Sequence, residues 1–336
     1  MPITGLGPHG ERAAPPSLLK ISDTEAAHAK ARRFTVAVVL HTTSSDWAKQ
    51  QIAGLVSTLG RYSAAVVEVV DCAFNAEAQV ESLRRLIGEK PDAVVSIPIG
   101  NTAVAAGHAQ VQRAGIKLVL LDNVPTGLVP GEDYTTIVSA DNFGLGQIGA
   151  ELLAAHMTKD AVAGLLSYGV DFFATNERHI AFLKWMETHR PDIEVRQAKF
   201  ASVATAGAAA LSLLDKGPAL GGCFVAWDEP AMEALAAMKS RGAAFPVTTI
   251  DLGNAAAAEM AAGGLIKGIG AQHPYDQGAA AAAATILSLT GRQPPPWVAL
   301  PGLSVTPQNV VEAYQVVWHT PAPREFMRTR RGSPAR

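Results

Sequence analysis

The sequence predicts an α/β protein made of two doubly wound parallel sheets. Continuous runs of Val, Ile and Leu alternate with helical segments from residue 34 onward. The alternation is interrupted near residue 140 and then resumes. In each half, an apolar strand ends at an aspartate. Apolar strands separated by helices are typical of parallel sheets that are covered on both faces. At roughly 150 residues per domain, a chain of 336 residues has room for two such domains.

Each predicted strand is followed by a helical pattern. The segment WAKQQIAGLVSTLGRY, for example, carries its apolar residues at helical spacing. The strands predicted in the first half are 34–41, 64–71, 92–98 and 117–122. After the apolar run TTIVS, the strands predicted in the second half are 161–168, 194–200, 222–227, 247–251 and 265–271.

Two aspartates occupy matching positions in the halves. The segment GIKLVLLDNVP of the first half parallels AFPVTTIDLGN of the second, and their apolar strands end at Asp122 and Asp251. In open α/β sheets, ligands bind outside the carboxyl ends of the strands. Two domains that face each other would therefore direct Asp122 and Asp251 into one shared cleft.

Planar polar groups and indoles follow most of the predicted strands. Carboxylate, amide and guanidinium groups can each bind two neighbouring sugar hydroxyls, while the C–H faces of a sugar ring pack on flat aromatic surfaces. A monosaccharide or polyol is therefore the predicted ligand. Helix capping is an alternative role for Asp46 and Asp228, and a core position is an alternative for each tryptophan. The candidate ligand-binding residues are Ser45, Asp46, Trp47, Asn101, Asp122, Asn123, Phe173, Asn176, Arg178, Trp227, Asp228, Asp251 and Gln272.

Composition and motifs argue against several other classes of protein. The net charge is −2 and no basic stripe is present, so nothing favours a nucleic-acid partner. Neither an HExxH, a CxxC nor a nucleophile-elbow pattern occurs, and we expect no metal, no cofactor and no catalytic residue. Cys72 and Cys223 lie in apolar runs and are expected to be buried thiols. The sequence contains no continuously apolar stretch of about 18 residues, so we expect no membrane insertion.

The segment SADNFGLGQIGAELL has the letters of a dinucleotide-binding turn, with Gly144, Gly146 and Gly149. This pattern raises the hypothesis of an NAD-dependent enzyme. Four residues separate the strand from Gly144, however, and Asp141 or Asn142 is well placed to cap a helix. We therefore expect the glycines to permit close helix packing where the chain passes between domains.

Several segments also carry a resemblance to a known family. From Phe34 to about Pro321, the chain resembles type I periplasmic binding proteins, in particular the ribose-binding-like branch of sugar ABC-transporter solute-binding proteins. The resemblance implies two Rossmann-like lobes that are joined by three hinge strands and close on a ligand. The segments that carry it are LLDNVP (120–125), VSADNFG (138–144), DFFATNER (171–178), VAWDEPA (225–231), TTIDLG (248–253) and KGIGAQHPYDQG (267–278).

The resemblance also implies roles for individual residues. Ser45 and Trp47 match a hydroxyl contact and a stacking position in the first loop, and Arg178 matches the cleft arginine. Asp122 with Asn123 and Asp251 with Gln272 match the hydrogen-bonding groups of the two lobes. Ribose binders carry Arg at the position of Asn123 and Asn at that of Trp227, so another pentose, a hexose or a polyol is as open as ribose.

The implied first lobe comprises residues 34–140 and 273–297, and the second comprises 141–272 and 298–320. Residues 1–33 are rich in Pro, Gly, Ala and charges and are expected to form a flexible leader, while 321–336 are expected to be a disordered tail.

Two functions remain open from the sequence. The first is a monomeric periplasmic protein that delivers its ligand to an ABC permease. Residues 1–33 contain no apolar segment typical of a signal peptide, which keeps a cytoplasmic sugar sensor like the ligand core of LacI-type repressors as the alternative. These residues show no helix-turn-helix pattern either.

Overall fold

A computed structural model describes residues 2–326, which form two α/β lobes, each built around a six-stranded sheet. The predicted fold class is confirmed. The strands of the first sheet are β1 (Thr35–Leu40), β2 (Ala65–Asp71), β3 (Ala93–Ser96), β4 (Lys117–Leu121), β5 (Thr136–Ala140) and β11 (Trp297–Leu300). The strands of the second sheet are β6 (Val162–Tyr168), β7 (Glu194–Phe200), β8 (Leu220–Val225), β9 (Val247–Ile250), β10 (Ile266–Ala271) and β12 (Leu303–Val305).

The two sheets have closely related strand orders. The first runs β11-β5-β4-β3-β1-β2 with parallel pairing throughout, and the second runs β12-β10-β9-β8-β6-β7. Only the short β12 pairs in the antiparallel direction, against β10, among the strands of residues 2–326. The apolar pattern did not predict β11 and β12, which are four and three residues long.

Helices cover both faces of each sheet, and several begin at a side-chain cap. The side chains of Ser45, Asn75 and Asp141 each accept a hydrogen bond from a backbone N–H three residues on. Within residues 2–326, every helix is too short or too polar to cross a membrane. The helices are α1 (Asp23–Arg32), α2 (Asp46–Arg61), α3 (Ala76–Glu89), α4 (Ala105–Arg113), α5 (Asn142–Ala154), α6 (Phe173–His189), α7 (Ala206–Leu214), α8 (Asp228–Ser240), α9 (Asn254–Ala261), α10 (Pro274–Leu289) and α11 (Val310–Trp318).

The chain passes between the lobes at three places: from β5 to α5, from β10 to α10, and from β11 to β12. We call these places the crossings. The expected boundary between residues 297 and 298 lies inside β11, whose four residues all pair with β5 of the first sheet. The third crossing therefore follows residue 300.

Residues 2–33 differ from the flexible leader expected of them. Leu19 and Ala29 are buried against the first lobe, and Ala14 pairs with Val298 along the edge of β11. Farther upstream, the backbone N–H groups of Thr4 and Gly5 donate to the carboxylate of Asp141 over 2.7 and 3.0 Å. Residues 2–14, which we call the N-terminal segment, thus reach from the first sheet to the first crossing.

The other end of the chain also departs from expectation. Residues 321–326 belong to the segment expected to be disordered, yet Ala322 and Phe326 are buried in the core of the second lobe. Apolar side chains within this short stretch provide the contacts. The rest of that expected tail, 327–336, lies outside the described residues.

The glycines of α5 allow two helices and a sheet to approach closely. Asp141 caps α5, which places Gly144 and Gly146 in its first turns. A Cβ at Gly146 would lie 2.1 Å from the carbonyl oxygen of Arg178 on α6, and one at Gly149 would lie 2.4 Å from the Phe224 ring. The interpretation of this glycine pattern as a packing feature beside a crossing is confirmed.

A second close approach joins α2 and α10. A Cβ at Gly54 would lie 1.9 Å from the carbonyl oxygen of Tyr275, and a Cβ at Gly278 would lie 1.9 Å from that of Gln51. The helices therefore meet backbone to backbone. Their contact fixes the separation of Gln51 and Gln277, one on each helix.

Substituting Gly54 with alanine should force α2 and α10 apart. We expect the free energy of unfolding to fall by about 1–3 kcal/mol, as in other overpacked cores. Gly60→Ala is the matched control, because it lies on the same helix and a Cβ there would meet no atom within 4 Å. The control should be neutral or more stable by up to about 1 kcal/mol. Urea unfolding of both variants tests this, and equal stabilities would contradict the close packing.

Candidate functional site

A cleft lies between the lobes, at the carboxyl ends of the strands of both sheets. This position agrees with the general rule for ligand sites in doubly wound sheets. Both lobes contribute predicted side chains to its walls. The predicted residues that line the cleft are Ser45, Trp47, Asp122, Arg178, Trp227, Asp228, Asp251 and Gln272.

Asp122 and Asp251 are equivalent in the two lobes. Each directly follows a strand, β4 or β9, and each has a positive φ, of 54° and 70° respectively. Aspartate tolerates this left-handed conformation better than most side chains, although the conformation is uncommon and tends to occur at functional sites. The two strand ends therefore bring one carboxylate from each lobe to the same cleft.

Glutamine side chains connect these two carboxylates. Gln51 and Gln277 donate to the two oxygens of Asp122 over 3.3 and 3.5 Å. Gln272 donates to Asp251 over 2.7 Å and accepts from Gln277 over 3.0 Å. A continuous path of amides thus runs from the carboxylate of one lobe to that of the other, beside the second crossing.

Arg178 is the buried cation of the cleft and is only 5% exposed. Its Nε donates to Asn142 over 2.9 Å, and its Nη1 donates to the carbonyl oxygen of Ala226 over 3.1 Å. These bonds fix the position of the guanidinium at the cleft wall. Its charge lowers the pKa of both Asp122 and Asp251, in opposition to the effect of burial.

Burial has the larger effect on the cleft carboxyls. It raises the pKa of Asp122 to about 7 and also raises that of Asp251. The pKa of Asp228 lies well above its usual range, because of burial first and the charge of Asp251 second. Removal from water makes the ionised forms costly unless hydrogen-bond donors surround them. The cleft therefore favours a partner that supplies such donors.

This raised pKa gives the folded protein a specific pH dependence. The carboxyl of Asp122 titrates near 3.8 when unfolded and near 7 when folded, so the stability due to its protonated form is present below about pH 4. That stability is lost as the pH rises through about 7. Asp122→Asn cannot ionise and should gain stability relative to the original protein over this range. Thermal unfolding of both proteins between about pH 4 and 8 measures the difference, and a constant difference would contradict it.

Aromatic side chains form much of the cleft wall. Tyr168 meets Trp227 edge to face, with ring centroids 5.2 Å apart, and His41 meets Phe74 over 4.9 Å. Phe74 and Tyr168 were not predicted as site residues, because aromatic side chains near strand ends resemble core positions. Only their position in the sequence could have indicated them, since Tyr168 is the last residue of β6 and Phe74 comes three residues after β2.

Asp46 does not line the cleft and instead bonds the opposite lobe. Its Oδ2 accepts from the backbone N–H and from Nδ2 of Asn254, over 3.0 and 2.9 Å. Asn254 in turn accepts from the hydroxyl of Tyr314 over 2.6 Å. Because Asp46 begins α2 and Asn254 begins α9, these bonds join the two lobes directly.

Asn123 and Phe173 also form a contact between lobes rather than part of the wall. The Nδ2 of Asn123 donates to the carbonyl oxygens of Pro98 and Gly100, over 3.1 and 2.9 Å. Its Oδ1 accepts from the backbone N–H of Phe173 over 3.0 Å. Both the nitrogen and the oxygen of the Asn123 amide are thus bonded within the protein. Phe172, the residue before Phe173, lines the cleft instead.

The remaining predicted residues are outside the cleft wall. Asn176 donates to Asp171 over 2.7 Å at an exposed position, one turn along α6. Asn101 follows Gly100, and Gly100 lines the cleft. The Oδ1 atom of Asn101 is buried with no hydrogen-bond partner in residues 2–326. Over the same residues, no cluster of three or more His, Cys, Asp or Glu side chains could hold a metal ion.

Several solved structures share this fold. An ABC transporter solute-binding protein from Agrobacterium vitis, bound with α-D-tagatopyranose, is 22% identical, with a TM-score of 0.77 over 86% of this chain and 100% of that chain. A carbohydrate transporter solute-binding protein from Agrobacterium radiobacter, in complex with D-arabinose, is 19% identical, with a TM-score of 0.75 over 84% and 98%. One from Bacillus halodurans, with bound myo-inositol, is 18% identical, with a TM-score of 0.75 over 84% and 97%.

Sequence comparison identifies the family directly. No curated protein matches the sequence. The family model described as a periplasmic binding protein domain matches residues 36–293, which is more than half of the chain and includes every cleft residue described above. The chain therefore belongs to the periplasmic binding protein family.

Proposed function

We propose that this protein captures a monosaccharide or polyol between its lobes and delivers it to the permease of an ABC transporter. The observation that carries the proposal is the pairing of Asp122 and Asp251, one from each lobe, around the buried Arg178. Vicinal hydroxyls can donate to both carboxylates and accept from the guanidinium at once. A polyhydroxylated molecule thus meets the hydrogen-bonding capacity of both lobes.

Two further polar atoms support a ligand that is rich in hydroxyls. Nδ1 of His41 and Nε1 of Trp47 are buried without a hydrogen-bond partner among residues 2–326, and both side chains line the cleft. Burial lowers the pKa of His41 to about 4, so its neutral ring can donate or accept. Because buried polar atoms are normally paired, both are suited to ligand hydroxyls.

The similar structures favour the same class of ligand. Tagatose, arabinose and myo-inositol, which occupy three of them, are all small polyhydroxylated rings or chains. The present cleft, with its carboxylates and aromatic wall, suits ligands of this class. The identity of the sugar is decided by side chains, such as Trp227, that differ from those expected of a ribose site.

Capture would proceed by closure of the lobes at the three crossings. The bonds of Asp46 with Asn254 and of Asn123 with Phe173 form only when the lobes approach each other. Ligand hydroxyls that bind Asp122 and Asp251 together would favour the same approach. The closed protein would then act in the periplasm as a monomer and present both lobes to the permease.

Other functions have less support. The similar structures are ABC transporter solute-binding proteins, which favours delivery to a permease over a DNA-linked sensor. The glycine pattern of α5 serves helix packing, which removes the reason for an NAD-dependent enzyme.

Isothermal titration tests the proposal directly. The protein is titrated with aldopentoses, hexoses, deoxyhexoses, inositols and linear polyols, and with NAD⁺ as the competing ligand class. We expect one or a few carbohydrates to bind at a single site and NAD⁺ not to bind. Absence of binding across the whole carbohydrate panel would overturn the proposal. Detection of the protein in the periplasmic fraction of its source cells would test the location separately.

A further inference from the structure

We infer that the ligand is an amphipathic carbohydrate, in which an apolar substituent such as an alkyl or aryl aglycone extends from the polyhydroxylated part toward the far end of the cleft. This inference rests on the proposed function and names the substrate class more narrowly. It follows from an uneven distribution of side chains along the cleft.

The polar end of the cleft lies beside the crossings. Asp122 follows β4, which neighbours the crossing strand β5, while Asp251 and Gln272 follow the adjacent strands β9 and β10. Arg178 bonds Asn142 at the first crossing and so belongs to the same end. These four charged or amide side chains therefore lie at one side of the cleft.

The opposite end is apolar. It is built from residues that follow β2, β3 and β6, on the strands away from the crossings. The polar groups near it include the hydroxyls of Thr42 and Tyr168 and the neutral ring of His41. We call this end the apolar subsite, and its members are Phe74, Ile97, Ile99, Tyr168, Val170 and Phe172.

Two members of the apolar subsite are unusually exposed. Phe74 is 44% exposed and Val170 is 37% exposed, although both line the cleft. Phe172 differs, because it packs against the core of the first lobe and helps to join the lobes. Phe74 and Val170 therefore keep apolar surface that a ligand can cover, with the gain that burial of such surface brings.

The backbone at Phe74 supports a role for this side chain. Phe74 has a φ of 58°, in the left-handed region that bulky side chains rarely adopt. A hydrogen bond from its N–H to the carbonyl oxygen of His41, over 2.7 Å, holds this conformation. Conformations of this kind are kept where the surrounding structure fixes them, often at binding sites. Here the conformation places an aromatic ring 4.9 Å from that of His41, at the edge of the cleft.

Matched pairs of ligands test the inference. The intact protein is titrated with D-galactose, D-glucose and D-xylose and with the methyl and phenyl β-glycosides of each. We expect at least one phenyl glycoside to bind roughly tenfold or more tightly than its parent sugar, with the methyl glycoside between them.

Substitution locates the effect. Phe74→Asn keeps a residue that tolerates the left-handed backbone, and Val170→Ser shortens the opposite wall. Each should reduce the affinity for the phenyl glycoside several-fold more than it reduces the affinity for the parent sugar, because the variants remove apolar surface that only the aglycone would cover. Val67→Ala is the control, since Val67 is exposed on β2 outside the cleft and should change neither affinity.

The outcomes distinguish failure of this inference from failure of the proposed function. Binding of a parent sugar with equal or weaker binding of every substituted form overturns this inference and leaves the proposed function intact. A preference for the phenyl glycoside that survives in both cleft variants overturns the assignment to the apolar subsite. If no member of any pair binds and the wider carbohydrate panel also fails, the proposed function itself is wrong.

Discussion

Replacing Asp122 with alanine is expected to weaken binding of the carbohydrate ligand by roughly 10- to 100-fold or more. The substitution removes the acceptor for ligand hydroxyls, leaves the Gln51 amide without its acceptor, and leaves Gln277 bonded only to Gln272. Each buried polar group that loses its partner costs about 1–3 kcal/mol. Asp251→Ala should have a similar effect, because Asp251 is the equivalent carboxylate of the second lobe and is bound by Gln272.

Isothermal titration of both variants with the best ligand from the panel measures this effect. Asp215→Ala is a suitable control, because Asp215 is exposed and pairs with Arg241 on the surface. Its affinity should equal that of the original protein. Unchanged affinity in both Asp122→Ala and Asp251→Ala would show that the ligand binds elsewhere.

Replacing Arg178 with methionine is expected to reduce both stability and binding. The buried guanidinium offsets the charges of Asp122 and Asp251, and it bonds Asn142 and the carbonyl oxygen of Ala226. A hydrogen bond made by a charged group typically contributes about 1.5–3 kcal/mol, and Arg178→Met loses both of these bonds. Arg178→Lys keeps the charge but loses the planar fork, so its stability should be intermediate.

Urea unfolding measures the stability of these variants, and titration measures their affinity. Arg241→Met is the matched control, since the exposed pair of Arg241 with Asp215 contributes only about 0–1 kcal/mol. If Arg178→Met were as stable as this control, Arg178 would not be the buried counter-charge of the cleft.

The sequence was sufficient to predict the central residues of the cleft. Asp122 and Asp251 follow clear apolar strands, and the carboxyl ends of parallel strands lie at the ligand side of the sheet. The same pattern could not separate them from Asp46 and Asn123, which also follow strands. Asp46 bonds Asn254, 208 residues away, and such a distant partner is not encoded in local spacing.

Other features depended on contacts that no local pattern records. The four residues of β11 lie between the prolines at 294–296 and Pro301, a setting that argues against a strand. The N-terminal segment is held in place by the pairing of Ala14 with Val298 of β11. Since β11 was not predicted, this partner was not predicted either, and the composition of the segment alone indicated flexibility. Phe74 was missed for a different reason, because its exposure and left-handed backbone become visible only in three dimensions.

The N-terminal segment offers a place for an optical reporter. It lies along the first lobe and bonds Asp141, the residue that caps the first helix of the second lobe. Thr4 is exposed, whereas Cys72 and Cys223 are both buried, so Thr4→Cys would provide a single accessible thiol for a dye. The bond from the backbone N–H of residue 4 to Asp141 would remain. Movement of one lobe against the other would then change the surroundings of the dye and convert sugar binding into a fluorescence signal.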